Sequence, residues 1–580
     1  MASPQVKCAD YLVSFLEGQG VPCVFELSGG MITHLLDAFC RRGQIPLVSM
    51  HHEQAAAFAV DAIGKLTGRP AVAMATSGPG ATNLLTGIAT CYFDSSPGVF
   101  ITGQVNRYEQ KGSRPVRQLG FQETDIVAIA RPVTKAAWQA QAAEELPGLL
   151  REAFAVAVAG RPGPVLIDIP MDVQRAPLWV EEQQAPSVSS EPPQTIDSAL
   201  VSELFAALAV AERPLILAGG GVRCAQAAPQ LLAFAHELSV PVVYSLHAVD
   251  VLPSSDPLRV GMIGTYGNRW ANLALARSDF LLVLGSRLDI RQTGSKPQAI
   301  VEGRCVCHVD CEPGEINNRV TGCLGIVADL RTFFAAAKQH IGMGCPPDRG
   351  EWLAEIAALR QAWPDTRELA GVPGINPNIL MHRLSEVSAR AAGYVVDVGQ
   401  HQMWAAQSLD LAPNQRFLTT GGMGAMGYAL PAAVGMSCLV RPQPVVVISG
   451  DGGLQCNIQE LQTVVHHELP VKIVVLNNGC HGMVRQFQES YFECRYQSTM
   501  WGYSAPDFAR VANAYGVPGR TVTAEGELDQ ALAGLWEETE QSALLQVMID
   551  PLTNVYPKIA FGRPIAEMEP IARPAQMEGI

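Results

Sequence analysis

Residues 445–478 read VVVISGDGGLQCNIQELQTVVHHELPVKIVVLNN, and this stretch decides the fold. VVVIS is short, apolar and β-branched, as buried parallel strands are. It stops at Gly450-Asp451-Gly452-Gly453, where a helix can begin. After a helical segment, KIVVLNN closes a βαβ unit. Ligands of open parallel sheets sit at the carboxyl ends of the strands. The glycines let a diphosphate approach the backbone, and the helix N-terminus favours its charge. A bare anion site has no use for Asp451, because like charges repel. Asp451 makes sense with a hard divalent cation between it and the phosphates. Asn478 adds a neutral oxygen, and Mg²⁺ suits such a donor set.

Gly-Asp-Gly alone is also an ordinary strand-turn-helix. Followed about 27 residues later by Asn-Asn, it resembles the thiamine diphosphate (ThDP) signature. That cofactor needs a carboxyl group on its aminopyrimidine, and an apolar setting that raises the carboxyl's pKa suits the task. Glu53, which opens the Ala-rich helix EQAAAFAV, meets this requirement. Without the other stretch, a glutamate there reads as a complement to the helix dipole.

A chain of 580 residues is too long for one core and allows three or four domains. Its net charge of −14 argues against binding nucleic acid or anionic membranes. No run of about 18 apolar residues is present, so no membrane span is expected. The N-terminus lacks the features of a secretory signal or transit peptide. The 14 cysteines are scattered, as reduced thiols of a cytoplasmic protein are. Cys305, Cys307, His308 and Cys311 lie in RCVCHVDC, where strand alternation separates His308 from Cys305 and Cys307. That cluster reads as a buried strand rather than a zinc site.

The fold class expected is α/β, with three doubly wound domains and parallel sheets. The first spans 1–185. It includes CVFEL, LVSM, AVAMA with the turn Ser77-Gly78-Pro79-Gly80, GVFITGQV and PVLIDIP. A Pro-rich linker covers about 186–195. The central domain spans 196–345, with PLILA running into Gly219-Gly220-Gly221. A connector at 346–372 leads to the third domain, 373–550. The tail 551–580, with five prolines, is expected to be an extended arm over the surface. The first and third domains read as two versions of one theme.

HHEQAAAF, TSGPGATNL, GMIGTYGNRWAN, SRLDIRQTG, DVGQHQMWAAQ, GGMGAMGYALPAA and GDGGLQCNIQELQT…NN together resemble the ThDP-dependent acetohydroxyacid (acetolactate) synthase-like family over nearly the whole chain. The resemblance implies pyrimidine-binding, central and diphosphate-binding domains in that order. It implies a homodimer or homotetramer, with the active site at the subunit interface. It makes Glu53 the activator of the pyrimidine, and Asp451, Asn478 and the carbonyl of Cys480 the Mg²⁺ ligands. Gln400, His401, Gly452 and Gly453 contact the diphosphate, Gly424 the pyrimidine amine, and Met426 is the wedge that bends the cofactor. Gly78, Asn83, Gly450 and Met483 are further cofactor contacts. The resemblance also implies that Phe121, Gln122 and Lys135 lie near the substrate pocket as catalytic residues. FAD, as a structural cofactor, is implied against Gly219, Gly220, Gly264, Gly267, Arg287, Asp289 and Asp310. Arg291 matches the arginine that grips the acceptor's carboxylate.

Some residues depart from the family pattern. Phe487 stands where the biosynthetic synthases carry a Trp that selects 2-ketobutyrate, and Thr265-Tyr266 replaces Met-His. FELSGG lacks the usual Pro before its glycines, and FGRPIAEMEP resembles tails of relatives in branched-chain sugar biosynthesis. The reaction expected is decarboxylation of pyruvate or a similar 2-keto acid. The resulting two-carbon enamine is then joined to a second carbonyl compound, the acceptor. The alternatives are a non-ligating 2-keto acid decarboxylase, or transfer of a pyruvate-derived acetyl group to a keto-sugar.

Overall fold

The apolar runs become the buried strands of three parallel sheets in the computed structural model, which describes residues 5–179, 196–341 and 348–577. In chain order, β1 (Gln5–Lys7) and β8 (Pro177–Trp179) form an antiparallel pair that ties the two ends of the first domain together. Between them come β2 (Val24–Leu27), β3 (Leu47–Ser49), β4 (Ala71–Ala75), β5 (Gly98–Gln104), β6 (Ala136–Gln139) and β7 (Pro164–Pro170). They form one parallel sheet in the order β3-β2-β4-β5-β7-β6.

The central sheet takes β9 (Pro214–Ala218), β10 (Val242–Tyr244), β11 (Arg259–Met262), β12 (Phe280–Leu284), β13 (Cys305–Asp310) and β14 (Leu324–Val327). Its order is β11-β10-β9-β12-β13-β14, that of a dinucleotide-binding sheet. The third sheet takes β15 (Gly393–Val396), β16 (Arg416–Leu418), β17 (Val445–Gly450), β18 (Val471–Asn477), β19 (Gly519–Val522) and β20 (Ala543–Met548), in the order β16-β15-β17-β18-β20-β19. Position for position this is the order of the first sheet, so the shared theme of the two domains is a shared topology.

The described residues fall into two compact units. One draws on residues 5–179, 420–443 and 456–471, the other on 196–341, 348–419, 444–455 and 472–577. Residues 373–550, read as one domain, therefore contribute to both.

In the first unit the helix Glu53–Thr67 is buried along nearly its whole length. Its alanines allow close crossings that larger residues would prevent. A Cβ at Gly87 would lie 2.2 Å from that of Ala57. One at Gly435, on the helix Ala429–Val440, would lie 2.4 Å from the carbonyl oxygen of Ala59. Glycine at both positions is a packing requirement.

Several expectations are corrected. The connector at 346–372 contains the helix Gly350–Ala362, which sends Trp352, Ile356 and Leu359 into the central domain's core. The tail is not an arm over the surface. Its two short strands, β21 (Lys558–Ile559) and β22 (Met568–Glu569), pair with each other, and Ile559, Ile565 and Met568 complete the same core. The edge strands β6, β11, β14, β16 and β19 are not among the expected strands. The expected linker at 186–195 lies outside the described residues. RCVCHVD is the strand β13, with Cys307 and Val309 in one core cluster and Val306 in another, as alternation requires. Among the described residues every cysteine is a free thiol, and no helix is long and apolar enough to cross a membrane.

Candidate active site

The third sheet reverses its winding between β15 and β17, and both strands end on the motifs singled out above. After β15, Asp397 accepts from the N–H of Val398 (2.8 Å) and the hydroxyl of Ser449 (3.3 Å), tying the two strand ends together. Gln400 and His401 then open the helix Gln400–Ser408. The imidazole of His401 is buried. A Cβ at Gly399 would lie 2.5 Å from its ring and one at Gly450 2.9 Å, so these glycines make the ring's slot. Burial pushes its pKa down to about 3, leaving it neutral, and Nε2 has no hydrogen-bond partner. A buried nitrogen without a partner is costly unless a ligand satisfies it.

Asp451 follows β17 and is 2 % exposed. Burial raises its pKa to about 6, although the Tyr503 hydroxyl donates to Oδ2 (3.0 Å) and nearby backbone N–H groups offset part of the cost. Beyond β18, the Asn478 amide donates to Gln400 Oε1 (3.0 Å), which fixes its orientation, and Oδ1 accepts from the N–H of Cys480 (3.3 Å). A Cβ at Gly482 would lie 1.9 Å from Gln400 Oε1, so the helix Gly482–Tyr491 starts hard against that amide. The structure thus brings Gln400, Asn478 and the start of the Met483 helix together. Asp451 and His401 flank the same pair of strand ends. Among the described residues no group of three or more His, Cys, Asp or Glu side chains is arranged to hold a metal ion. The polar side chains here include one carboxylate and an amide, hard oxygen donors with no thiolate or thioether among them. Tyr503 and Asp397 were missed by the reading. Asp397, polar at the end of an apolar strand, could have been found.

In the first unit, Glu53 is the first residue of its helix and only 6 % exposed. His52 caps that helix, its Nδ1 accepting from the N–H of Gln54 (3.0 Å). The Asn83 amide donates to Glu53 Oε2 (2.9 Å). The turn after β4 lies against the same carboxylate: a Cβ at Gly80 would sit 3.2 Å from Oε1. Gln122 has a left-handed backbone (φ 63°) and packs on Gly78, while Phe121 beside it is 78 % exposed. Gly424 (φ 65°) and Met426 lie on the loop 420–428. Unread in the sequence were Glu460, whose Oε1 accepts from the N–H of His51 (3.0 Å), and Asn457, which donates to Gln54 Oε1 (3.2 Å). Both hold the start of the Glu53 helix.

Lys135 does not join this group. It precedes β6, its N–H bonds to Pro164 at the start of β7, and its ammonium donates to the carbonyl of Ala159 (2.5 Å). That is the amino edge of a parallel sheet, whereas Glu53 and Gly78 follow carboxyl ends.

In the central domain the two motif stretches form one surface, since the N–H of Thr265 donates to the carbonyl of Arg291 (2.7 Å). Gly264 (φ 110°) is pressed against that same carbonyl, and Gly267 closes a tight turn. Asn272 clamps the loop through the N–H and carbonyl of Gly264 (2.9 and 3.0 Å). Asp289 caps its own short helix and pairs with Arg287 (3.0 Å). Gly219 is held close by the carbonyl of Gly285, and Gly220 by His247. Asp310 ends β13 at the carboxyl edge. Arg291 lines a small cavity with Thr265, Ser295, Lys558 and Phe561. Phe487 is half-buried against Tyr491 and Phe492, with ring centroids 4.9 and 5.8 Å apart. Its helix is held by the tail: Gln486 and Val555 exchange two hydrogen bonds, and Arg485 donates to the carbonyl of Thr553 (3.0 Å).

These strand-end clusters are those of a thiamine pyrophosphate enzyme, and the comparisons agree. The thiamine pyrophosphate enzyme N-terminal TPP binding domain matches residues 6–129, the central domain 201–337, and the C-terminal TPP binding domain 397–547. The chain is 38% identical over 561 residues to the acetolactate synthase isozyme 2 large subunit of Escherichia coli (strain K12), covering 97% of this chain and 98% of that one. It is 35% identical over 559 residues to a probable acetolactate synthase large subunit of Methanocaldococcus jannaschii (94% and 92% covered). It is 34% identical over 569 residues to the chloroplastic acetolactate synthase of Arabidopsis thaliana (96% and 83%). The chain belongs to the acetolactate synthase family of thiamine pyrophosphate enzymes. It is a ThDP-dependent carboligase of that type, and nothing in the comparisons favours a simple decarboxylase.

Proposed function

We propose that the protein decarboxylates pyruvate or a similar 2-keto acid and joins the two-carbon fragment to a second carbonyl compound, with Mg²⁺ and FAD as resident groups. The observation that carries the reading is the closed slot around His401 beside the buried Asp451. An enclosed ring with an unmet nitrogen, next to a carboxyl held at about 6, is a costly arrangement without a ligand. A diphosphate and a divalent cation satisfy both at once. In this reading Asp451, Asn478 and the Cys480 carbonyl hold Mg²⁺, and Gln400, His401, Gly452 and Gly453 hold the diphosphate. Bound ThDP supplies the electron sink that lets the keto acid lose CO₂. Glu53 holds a proton at the pyrimidine ring nitrogen, and Asn83 keeps its carboxylate aimed. The central sheet's strand order suits a dinucleotide, and Asp310 and Arg287 would be among the residues that hold FAD. Arg291 holds the acceptor's carboxylate, and Phe487 limits the acceptor's size.

The reading includes a homodimer or homotetramer in the cytoplasm, with the first domain of one subunit facing the third of its partner. The loop before Glu123 supports this, since Tyr108, Val116, Leu119 and Phe121 are exposed together on it. Product analysis with pyruvate and a panel of aldehyde, ketone and keto acid acceptors tests the proposal. Acetolactate, acetoin or a mixed ligation product is expected. Acetaldehyde as the sole product would overturn ligation, and colourless protein without extractable flavin would remove FAD.

A further inference from the structure

The loop 420–428 has glycine at 421, 422, 424 and 427, two of them left-handed (Gly424 φ 65°, Gly427 φ 81°). So many glycines make the loop costly to order, and something must hold it. The hold comes from the side chain of Asp94. Oδ1 accepts from the N–H of Gly422 (2.7 Å) and, more weakly, of Gly421 (3.4 Å). A Cβ at Gly422 would collide with Phe93 and with that oxygen, so the chain passes close for this contact. Oδ2 of Asp94 takes the ammonium of Lys65 (2.9 Å), which also pairs with Asp61 Oδ2 (2.7 Å). The loop's far end returns to the same place, as the Tyr428 hydroxyl donates to Asp61 Oδ2 (2.7 Å). Asn457 ties down the carbonyl of Gly427 (2.8 Å). The side chains of Asp61, Asp94 and Lys65 are 0, 1 and 11 % exposed. Ionic bonds this dry are little screened, and losing one partner strands the other.

We propose that Asp94, anchored through Lys65 and Asp61 on the Glu53 helix, is a positioning residue that pre-forms the loop 420–428 for the cofactor's pyrimidine end. The inference rests on the reading of Gly424 and Met426 given above. None of the three ionic residues touches the cofactor in that reading. They act by removing the loop's freedom before binding, so the ordering cost does not fall on the binding step. Two carboxylates flank one lysine, and hydroxyl and backbone donors serve the extra negative charge. The loop supplies part of what the network needs, through the N–H of Gly422 and the Tyr428 hydroxyl.

The test is Asp94→Ala in the full chain, read in two ways. Hydrogen exchange of the cofactor-free protein should quicken about tenfold or more across 420–428 while the sheet amides keep their protection. ThDP binding in excess Mg²⁺, followed by tryptophan fluorescence, should weaken at least about tenfold, the loss one charge-assisted hydrogen bond carries. The KM for pyruvate should hold. Unchanged exchange in the loop, or protection lost evenly through the unit, would overturn the proposal. Should Asp94→Ala not fold, Tyr428→Phe removes one hydroxyl at the other end of the loop and should give the same pattern, smaller. Met426→Ala separates this inference from the reading beneath it. If Met426→Ala leaves ThDP binding intact while Asp94→Ala still loosens the loop, the clamp stands and the cofactor role of the loop falls. If Met426→Ala weakens binding and Asp94→Ala does neither, the clamp falls alone.

Discussion

Glu53 is held by an N-capped helix start, the Asn83 amide and a nearly dry surround. A group with that much scaffolding has little freedom to be replaced by a neighbour. Glu53→Gln should keep the fold and the Asn83 contact while lowering kcat about 10²-fold or more, the range of a lost acid–base group. Steady-state rates with pyruvate check this, and full turnover would remove Glu53 from the chemistry. A second residue-scale prediction concerns His382. Burial would lower its pKa, but Asp365 and Asp410 grip its two ring nitrogens (2.8 and 2.7 Å) and hold it up to about 10. Its folded-state pKa lies above the ordinary 6.5, so its stabilisation is whole below pH 6.5 and fades as pH rises through 10. The urea midpoint of the wild type should drop between those limits, and that of His382→Gln should drop less. Residues that end apolar strands were legible in the sequence, because polarity after an apolar run marks a carboxyl edge. Asp94, Asp61 and Glu460 were not, since each owes its role to a partner far away along the chain, and Lys65 reads as an ordinary i,i+4 pair with Asp61. Lys135 rested on the overall resemblance alone, which carries no information about which edge of a sheet a loop reaches.

At the scale of elements, buried parallel strands announce themselves as unbroken apolar runs, and β17 and β18 are such runs. Edge strands lack that signal. β6 reads AAWQ and β19 GRTV, each exposed in part, so neither stood out. The tail misled for a related reason: its prolines suggest an exposed arm, while the few apolar residues between them do the packing. The crossing of the helices Glu53–Thr67 and Ala429–Val440 yields a sharp test. Gly435→Ala places a methyl 2.4 Å from a backbone oxygen that cannot swing aside. Destabilisation of about 1–3 kcal/mol is expected, as for an overpacked core. Urea unfolding measures it, and a stability within about 0.5 kcal/mol of wild type would mean the helices part easily.

For the whole molecule, Glu53 and Asp451 belong to different compact units. If each active site takes one from each of two subunits, two dead variants should rescue each other. Mixing Glu53→Gln chains with Asp451→Asn chains after subunit exchange should restore about a quarter of wild-type activity in a dimer, since half the dimers then hold one intact site. No recovery, with exchange shown by mass, would place both residues of a site in one chain. The tail has a consequence on another timescale. Arg269 bonds the carbonyl of a residue 300 positions later, and the central core needs Ile559, Ile565 and Met568. During synthesis at about 5–20 residues per second, the middle of the protein waits on the order of 15–60 s for its last apolar pieces. A ribosome that stalls before them releases a domain with an open seam, which makes this the portion most exposed to chaperones and proteases while the chain is being made.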